Sequence, residues 1–179
     1  MQWREVGRES IADCRIFSVE RSIAESPTGR SQHTFYRIRS ADWAQIVPVT
    51  TAGEVVMIQQ YRHGAQRVTL EIPGGIVEAG EDPGVAAMRE CLEETGYRAS
   101  AVMALGAVNP NPALFSNCLH TFYAEGVERV AEIQNTSTEH TALVLVPLRD
   151  LPGRLQSGEI DHALVAAALW RYLHEHAGR

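Results

Sequence analysis

The sequence predicts an α/β fold in which a mixed sheet lies between helices and follows an antiparallel sheet at the N-terminus. Three observations carry this. Up to Arg62 the chain concentrates β-branched and aromatic residues between turn signals. A well-framed helix then follows a glycine-rich loop, and two further helical stretches close the chain.

Cys14 to Ala24 reads as a strand, Ser26-Pro27-Thr28-Gly29 as a turn, and Gln32 to Arg39 as a second strand alternating Thr34, Tyr36 and Ile38 against His33, Phe35, Arg37 and Arg39. Trp43 to Thr50 and Glu54 to Arg62 form a hairpin about Thr51-Ala52-Gly53, with the apolar run Val55 to Ile58 in its second strand. Val68 to Ile72 leads into Pro73-Gly74-Gly75. Beyond the central helix come strands near Ser100 to Gly106, Leu119 to Ala124 and Thr141 to Pro147, with an Asn/Pro loop from Asn109 to Asn117. Asp150 is expected to cap a helix that stops at Gly158, and Asp161 a longer one reaching about Glu175. No internal repeat or low-complexity linker interrupts the pattern.

The central helix has both ends written in the sequence. Asp82 is an N-cap followed by Pro83, whose missing amide costs nothing at the first helical position. Gly96 supplies the left-handed stop. Val85, Met88 and Leu92 recur at helical spacing and are expected to form the buried stripe. Glu90, Glu93 and Glu94 share another face, near the end where the helix dipole disfavours anions. Glu90 and Glu94 also repel one another at one-turn spacing, and Arg89 offsets only part of this. Carboxylates crowded against local preference after a glycine loop imply a cation. Oxygen donors without a neighbouring His or Cys select Mg²⁺ or Mn²⁺.

With 179 residues, 45% of them hydrophobic, the chain can bury one sizeable core. A net charge of -6 argues against nucleic-acid backbone binding. The first residues carry no signal-like apolar run and no segment is long enough to span a bilayer, so a cytoplasmic protein without a membrane partner is expected. Cys14, Cys91 and Cys118 are scattered, without metal-type spacing, and are expected to be reduced thiols. His174 and His176 do not share a helix face, and Trp3, Trp43 and Trp170 read as core or interface.

Gly75, Glu81, Arg89-Glu90, Glu93-Glu94 and Gly96-Tyr97 resemble the complete Nudix box, G-x5-E-x7-R-E-U-x-E-E-x-G-U, with Cys91 where an aliphatic residue is usual. Chance would produce the seven identities on the order of once in a million chains of this size. The resemblance implies a Nudix α/β/α sandwich and a hydrolase acting on phosphoanhydride bonds. It places metal at Glu90, Glu93, Glu94 and the carbonyl of Gly74, with Arg89 and Glu81 orienting loop and helix. It leaves the base open between Glu139, in the loop from Glu132 to Thr141 and also a candidate ligand, and Glu93.

Among Nudix enzymes, the chain looks like the ADP-ribose pyrophosphatase group. Arg62, ending Gln59-Gln60-Tyr61-Arg62, matches a diphosphate-binding arginine, although an exposed strand end has the same local pattern. Glu71 matches a position that receives ribose or base, Pro112 the proline that marks the group, and Phe115 is the stacking candidate in its loop. The loop reads Asn109-Pro110-Asn111-Pro112-Ala113 and lacks the Ser-Pro-Gly of strict ADP-ribose enzymes, which leaves the sugar nucleotide open. Residues 1–40 are expected to be a homodimerisation sheet or a cover for the core, and residues 41–179 the catalytic domain. The expected reaction is Mg²⁺-dependent cleavage of ADP-ribose, an ADP-sugar or a GDP-sugar to a nucleoside monophosphate and a sugar phosphate. The alternatives are a nucleoside triphosphate pyrophosphohydrolase and a non-catalytic nucleotide-sugar-binding module.

Overall fold

Branched and aromatic residues alternate with charged ones in the N-terminal region, and the computed structural model, which describes residues 1–136 and 140–176, pairs them in an antiparallel sheet. Its strands β1 (Arg4–Asp13), β2 (Phe17–Glu25) and β3 (Gln32–Ser40) lie in that order. The Ser26 to Gly29 turn closes with Gly29 N–H donating to the Ser26 carbonyl at 2.8 Å. β1 has no sequence signal of its own. It is exposed along nearly its whole length, and register shifts near Val6 and Ile11 break the two-residue period.

The shielded face of β2 is polar. Glu20 and Ser22 are buried there beside Ala24. Arg37, opposite Glu20 in register, donates Nε to its carboxylate at 2.7 Å and holds it below the ordinary carboxylate pKa. Such pairing is what makes burial of the charge tolerable. The same compact unit includes Val108–Leu119. Ile38 N–H donates to the Leu114 carbonyl at 2.7 Å, and Ser116 N–H to the Ile38 carbonyl at 3.1 Å.

A second unit comprises Trp43–Ala107 and the chain from His120. Its strands are β4 (Trp43–Thr50), β5 (Glu54–Arg62), β6 (Arg67–Glu71), β7 (Gly74–Ile76), β8 (Tyr97–Arg98), β9 (Met103–Val108), β10 (Leu119–Arg129) and β11 (Thr141–Pro147). Helix α1 (Pro83–Thr95) follows β7, and α2 (Leu151–Ser157) and α3 (Ala163–Glu175) end the chain. The sheet runs β11-β5-β4-β10-β8, with β6 on β5, β7 on β4 and β9 on β10. Strand alternation divides the core in two. Val47, Val49, Val55 and Met57 meet Leu151, Leu155, Val165 and Leu169, while Ala44, Ile46 and Val56 meet Ala86, Ala87 and Cys91. A mixed sheet thus lies between α1 on one face and α2 with α3 on the other, the expected α/β/α sandwich.

Two local expectations are corrected. The buried stripe of α1 is Gly84, Ala87, Cys91 and Thr95, with Ala86 beside it, whereas Val85 is 50% exposed and Met88 and Leu92 only half-buried. Small residues on that stripe let the helix backbone approach the sheet, and the larger apolar side chains are pushed to its flanks. Cys91 is core, as expected, and burial pushes its thiol up to about 12. At α3 the N-cap is His162, whose Nδ1 accepts from Val165 N–H at 3.4 Å, whereas Asp161 is paired with Arg67. Asp150 does sit before α2, but its side chain makes no capping bond.

The buried stripe makes a stability prediction. Cys91→Leu should overpack the helix–sheet contact and lower stability by about 1–3 kcal/mol, while Val85→Ala should change it by less than about 0.5 kcal/mol. Chemical denaturation of the two variants checks this, and the reverse ranking would restore the Val85 stripe.

Candidate active site

The loop between β6 and α1 is held from both sides. β7 pairs antiparallel with β4, bringing Gly75 opposite Ala44 and Gly74 opposite Gln45. Asp82 caps α1 by accepting from Gly84 N–H at 2.8 Å and Val85 N–H at 3.2 Å. Gly96, at φ 74°, ends it with its N–H on the Leu92 carbonyl. A Cβ at Gly96 would also lie 2.1 Å from the Ala131 carbonyl oxygen, so the stop needs glycine for space as well as conformation.

Between those ends the glutamates meet the loop. A Cβ on Gly75 would fall 2.4 Å from Glu90 Oε1, so only glycine lets that carboxylate rest against the loop backbone. Gly74 N–H donates to Glu94 Oε2 at 2.9 Å. Arg89 ties the remaining parts together. Its Nε and Nη2 donate to the two oxygens of Glu81 at 2.9 and 3.0 Å, and Nη2 also reaches the Ile76 carbonyl at 3.1 Å. Nη1 donates to Glu90 at 2.8 Å and Glu93 at 3.3 Å. The Arg89 hydrogen bonds, with one from Glu78 N–H, lower the Glu81 pKa to about 2, and the same Glu81 contact raises that of Arg89. One guanidinium therefore offsets three carboxylates, more than its place in the sequence suggests.

Among the described residues no three His, Cys, Asp or Glu side chains converge on a single point as a closed metal shell. Glu90 and Glu93 are turned to Arg89, and Glu94 to the Gly74 amide. The donors nonetheless fit a hard divalent cation. All are oxygens, they occupy the last two turns of one helix, and the Gly75 cradle holds Glu90 at the loop with no side chain between.

A second polar group lies on the same sheet. Arg62 donates Nε and Nη2 to Glu71 at 2.8 and 2.7 Å, and Thr69 donates to Glu71 Oε1 at 2.6 Å. Burial pushes the Glu71 pKa up, but the Arg62 fork and the Thr69 hydroxyl outweigh it and the net shift is downward. Glu71 thus fixes the plane of Arg62, whose side chain stays 41% exposed. Gln60, Thr69 and Thr141 had no motif to mark them. Their signal is polarity at buried strand positions. Pro112 and Phe115 lie in the unit with the N-terminal strands, where Phe115 bridges Ile38. Glu139 lies outside the described residues.

The NUDIX domain model matches residues 42–169, which span this whole arrangement. The chain belongs to the NUDIX family. It is a NUDIX hydrolase acting on phosphoanhydride bonds. It is 26% identical over 170 residues to the ADP-ribose pyrophosphatase of Bacillus subtilis (strain 168), covering 94% of this chain and 91% of that one. It is 30% identical over 181 residues to the ADP-sugar pyrophosphatase of Mus musculus, covering 92% and 83%. A crystal structure of an ADP compounds hydrolase superposes with a TM-score of 0.87 at 23% identity, covering 99% of this chain and 96% of that one, and so has the same fold.

The Glu81–Arg89 clamp of this NUDIX site has a pH signature. Because the folded-state pKa of Glu81 is lowered from 4.5 to about 2, its stabilising contribution is complete above the unfolded value and is lost as pH falls from 4.5 towards 2. Melting temperature against pH should therefore fall less steeply for Glu81→Gln than for wild type across that window. Parallel curves would show that the clamp contributes nothing to stability.

Proposed function

We propose that the protein is a Mg²⁺-dependent nucleoside diphosphate sugar hydrolase, with ADP-ribose, ADP-sugars and GDP-sugars as the substrates to test. The observation that carries this reading is a shared face of the sheet. Arg62 stands two residues from Gln60 on β5, Thr141 is opposite Gln60 in register, and the Thr141 hydroxyl donates to the Glu94 carbonyl at 2.9 Å. The register thus links the strand that carries a guanidinium suited to a diphosphate to the helix that carries carboxylates suited to a cation. The names of the relatives, ADP-ribose and ADP-sugar pyrophosphatases, support the same class.

In this reading Glu90, Glu93, Glu94 and the Gly74 carbonyl hold the cation. When bound, it neutralises phosphate charge and acidifies water. Arg89 holds the glutamates on the loop, and Arg62, oriented by Glu71, binds the diphosphate. The base is Glu139 or Glu93, Phe115 stacks on the substrate, and Pro112 shapes its loop. Products are a nucleoside monophosphate and a sugar phosphate. The protein acts in the cytoplasm, without nucleic acid. No helix among the described residues is long and apolar enough to cross a membrane.

A panel of nucleoside diphosphate sugars and triphosphates, assayed with Mg²⁺ and Mn²⁺ for phosphate-containing products, tests the substrate class. ADP-ribose should give AMP and ribose phosphate. Pyrophosphate release from triphosphates alone would replace this reading with a triphosphate pyrophosphohydrolase, and binding without turnover with a sensor module. Glu94→Gln should abolish most activity in a folded protein. Glu139→Gln should lower kcat with a modest change in KM, and a wild-type rate there returns the base to Glu93.

The N-terminal sheet is the proposed homodimer element. Trp3, Val6, Ile11, Phe35 and Tyr36 are exposed, and Trp3 packs edge-on to His33 and Phe35 at 5.6 and 5.2 Å. Sedimentation at micromolar concentration should find a dimer, and monomer alone would discard that role.

A further inference from the structure

Gln60 is 7% exposed, and its Oε1 atom is shielded from solvent with no hydrogen-bond partner among the described residues. The strand pairing shows why no neighbour supplies one. Gln60 lies between Thr69 on β6 and Thr141 on β11, its partners in register. Each threonine hydroxyl has one proton to give. That of Thr69 is shared between the Gln60 main-chain carbonyl at 3.2 Å and Glu71 at 2.6 Å, and that of Thr141 between the Glu94 carbonyl at 2.9 Å and Asn135 Oδ1 at 3.3 Å. A buried amide oxygen left without a donor opposes folding. A leucine or valine here would remove the penalty and continue the apolar run of β5.

The position of that oxygen gives it a use. Alternation along β5 puts Gln60 on the same face as Arg62, about 7 Å along the strand. Its other side leads through Thr141 to Glu94. In register Gln60 therefore stands between β6, whose Glu71 orients the group proposed to hold the diphosphate, and β11, whose Thr141 is bonded to the helix proposed to hold the cation. Diphosphate oxygens carry no proton at neutral pH and cannot satisfy an acceptor. The nearest donors on a nucleotide sugar are the hydroxyls of the sugars bonded to the diphosphate, with the base farther away.

We infer that Gln60 is a specificity-determining residue whose side-chain carbonyl accepts a hydrogen bond from a sugar hydroxyl next to the diphosphate. The inference rests on the nucleotide-sugar reading above and names a subsite within it. It assigns Gln60 the discrimination between sugar-bearing diphosphates and diphosphates that lack the hydroxyl. A site built around a buried acceptor rejects the analogue that leaves it unpaired.

The test compares wild type with the near-isosteric Gln60→Met on three compounds: ADP-ribose, its adenosine 2′,3′-dideoxy analogue, and an alkyl ester of ADP without the second sugar. Binding is measured by calorimetry in EDTA, and kcat/KM with Mg²⁺. Gln60→Met should bind and turn over ADP-ribose about 10- to 100-fold less well. Without ligand it should melt at or above the wild-type temperature, because the orphaned oxygen is gone. On the compound missing the recognised hydroxyl the two proteins should behave alike, and wild type alone should already disfavour that compound by the same factor. That last comparison needs no variant to fold. Unchanged ADP-ribose binding by Gln60→Met would overturn the inference. An equal loss on all three compounds would also overturn it, by placing the amide on the diphosphate. If wild type neither binds nor cleaves ADP-ribose or any other nucleotide sugar of the panel, the parent reading fails and this one with it.

Discussion

The close approach of α1 to the loop at Gly75 is the constraint on which the rest of the site depends. Three glutamates in the last two turns of one helix repel one another and oppose its dipole. They are tolerated because the loop meets them with what each lacks. Gly75 gives Glu90 room against the backbone, Gly74 gives Glu94 an amide, and Arg89 reaches Glu81, Glu90, Glu93 and the Ile76 carbonyl together. Any side chain at Gly75 would displace the carboxylate that the motif exists to position.

That approach sets the packing behind it. Loop and helix can meet only if α1 lies low on the sheet, and the stripe of Gly84, Ala87, Cys91 and Thr95 allows this. Cys91 in the usual aliphatic position follows the same logic, as a small apolar side chain at a tight contact. Burial shields this thiol and raises its pKa. The opposite face of the sheet, packed on α2 and α3 with Leu, Val and Tyr side chains, carries the larger volume of core.

The elements with local punctuation were legible in the sequence. Asp82-Pro83 and Gly96 bound α1, and Ser26 to Gly29 and Thr51 to Gly53 mark hairpins, because caps and turns act through residues adjacent in the chain. What depends on long-range partners was not. β1 is exposed and bulged, so no period reveals it. The α1 stripe is set by how closely the sheet lies, which hydrophobicity alone ranks wrongly in favour of Val85. Asp161 has good capping chemistry, but Arg67, distant in sequence, takes it and leaves the cap to His162. In the site, the motif residues could be placed from spacing, whereas the Arg62–Glu71–Thr69 group joins two strands and needed the register.

Glu71 and Gln60 are both buried polar residues on the α1 face of the sheet, and the difference between them separates support from recognition. The Glu71 carboxylate is met by two bonds from Arg62 and one from Thr69, so its burial is compensated within the protein. Gln60 stands on the neighbouring strand with an acceptor that none of the described residues meets. A satisfied buried group gains little from a ligand, since binding would have to replace bonds it already has. An unsatisfied one gains the whole bond, and only when a donor of the right kind arrives. On the proposed reading Glu71 acts through the orientation of Arg62, while a direct contact with the sugar falls to Gln60.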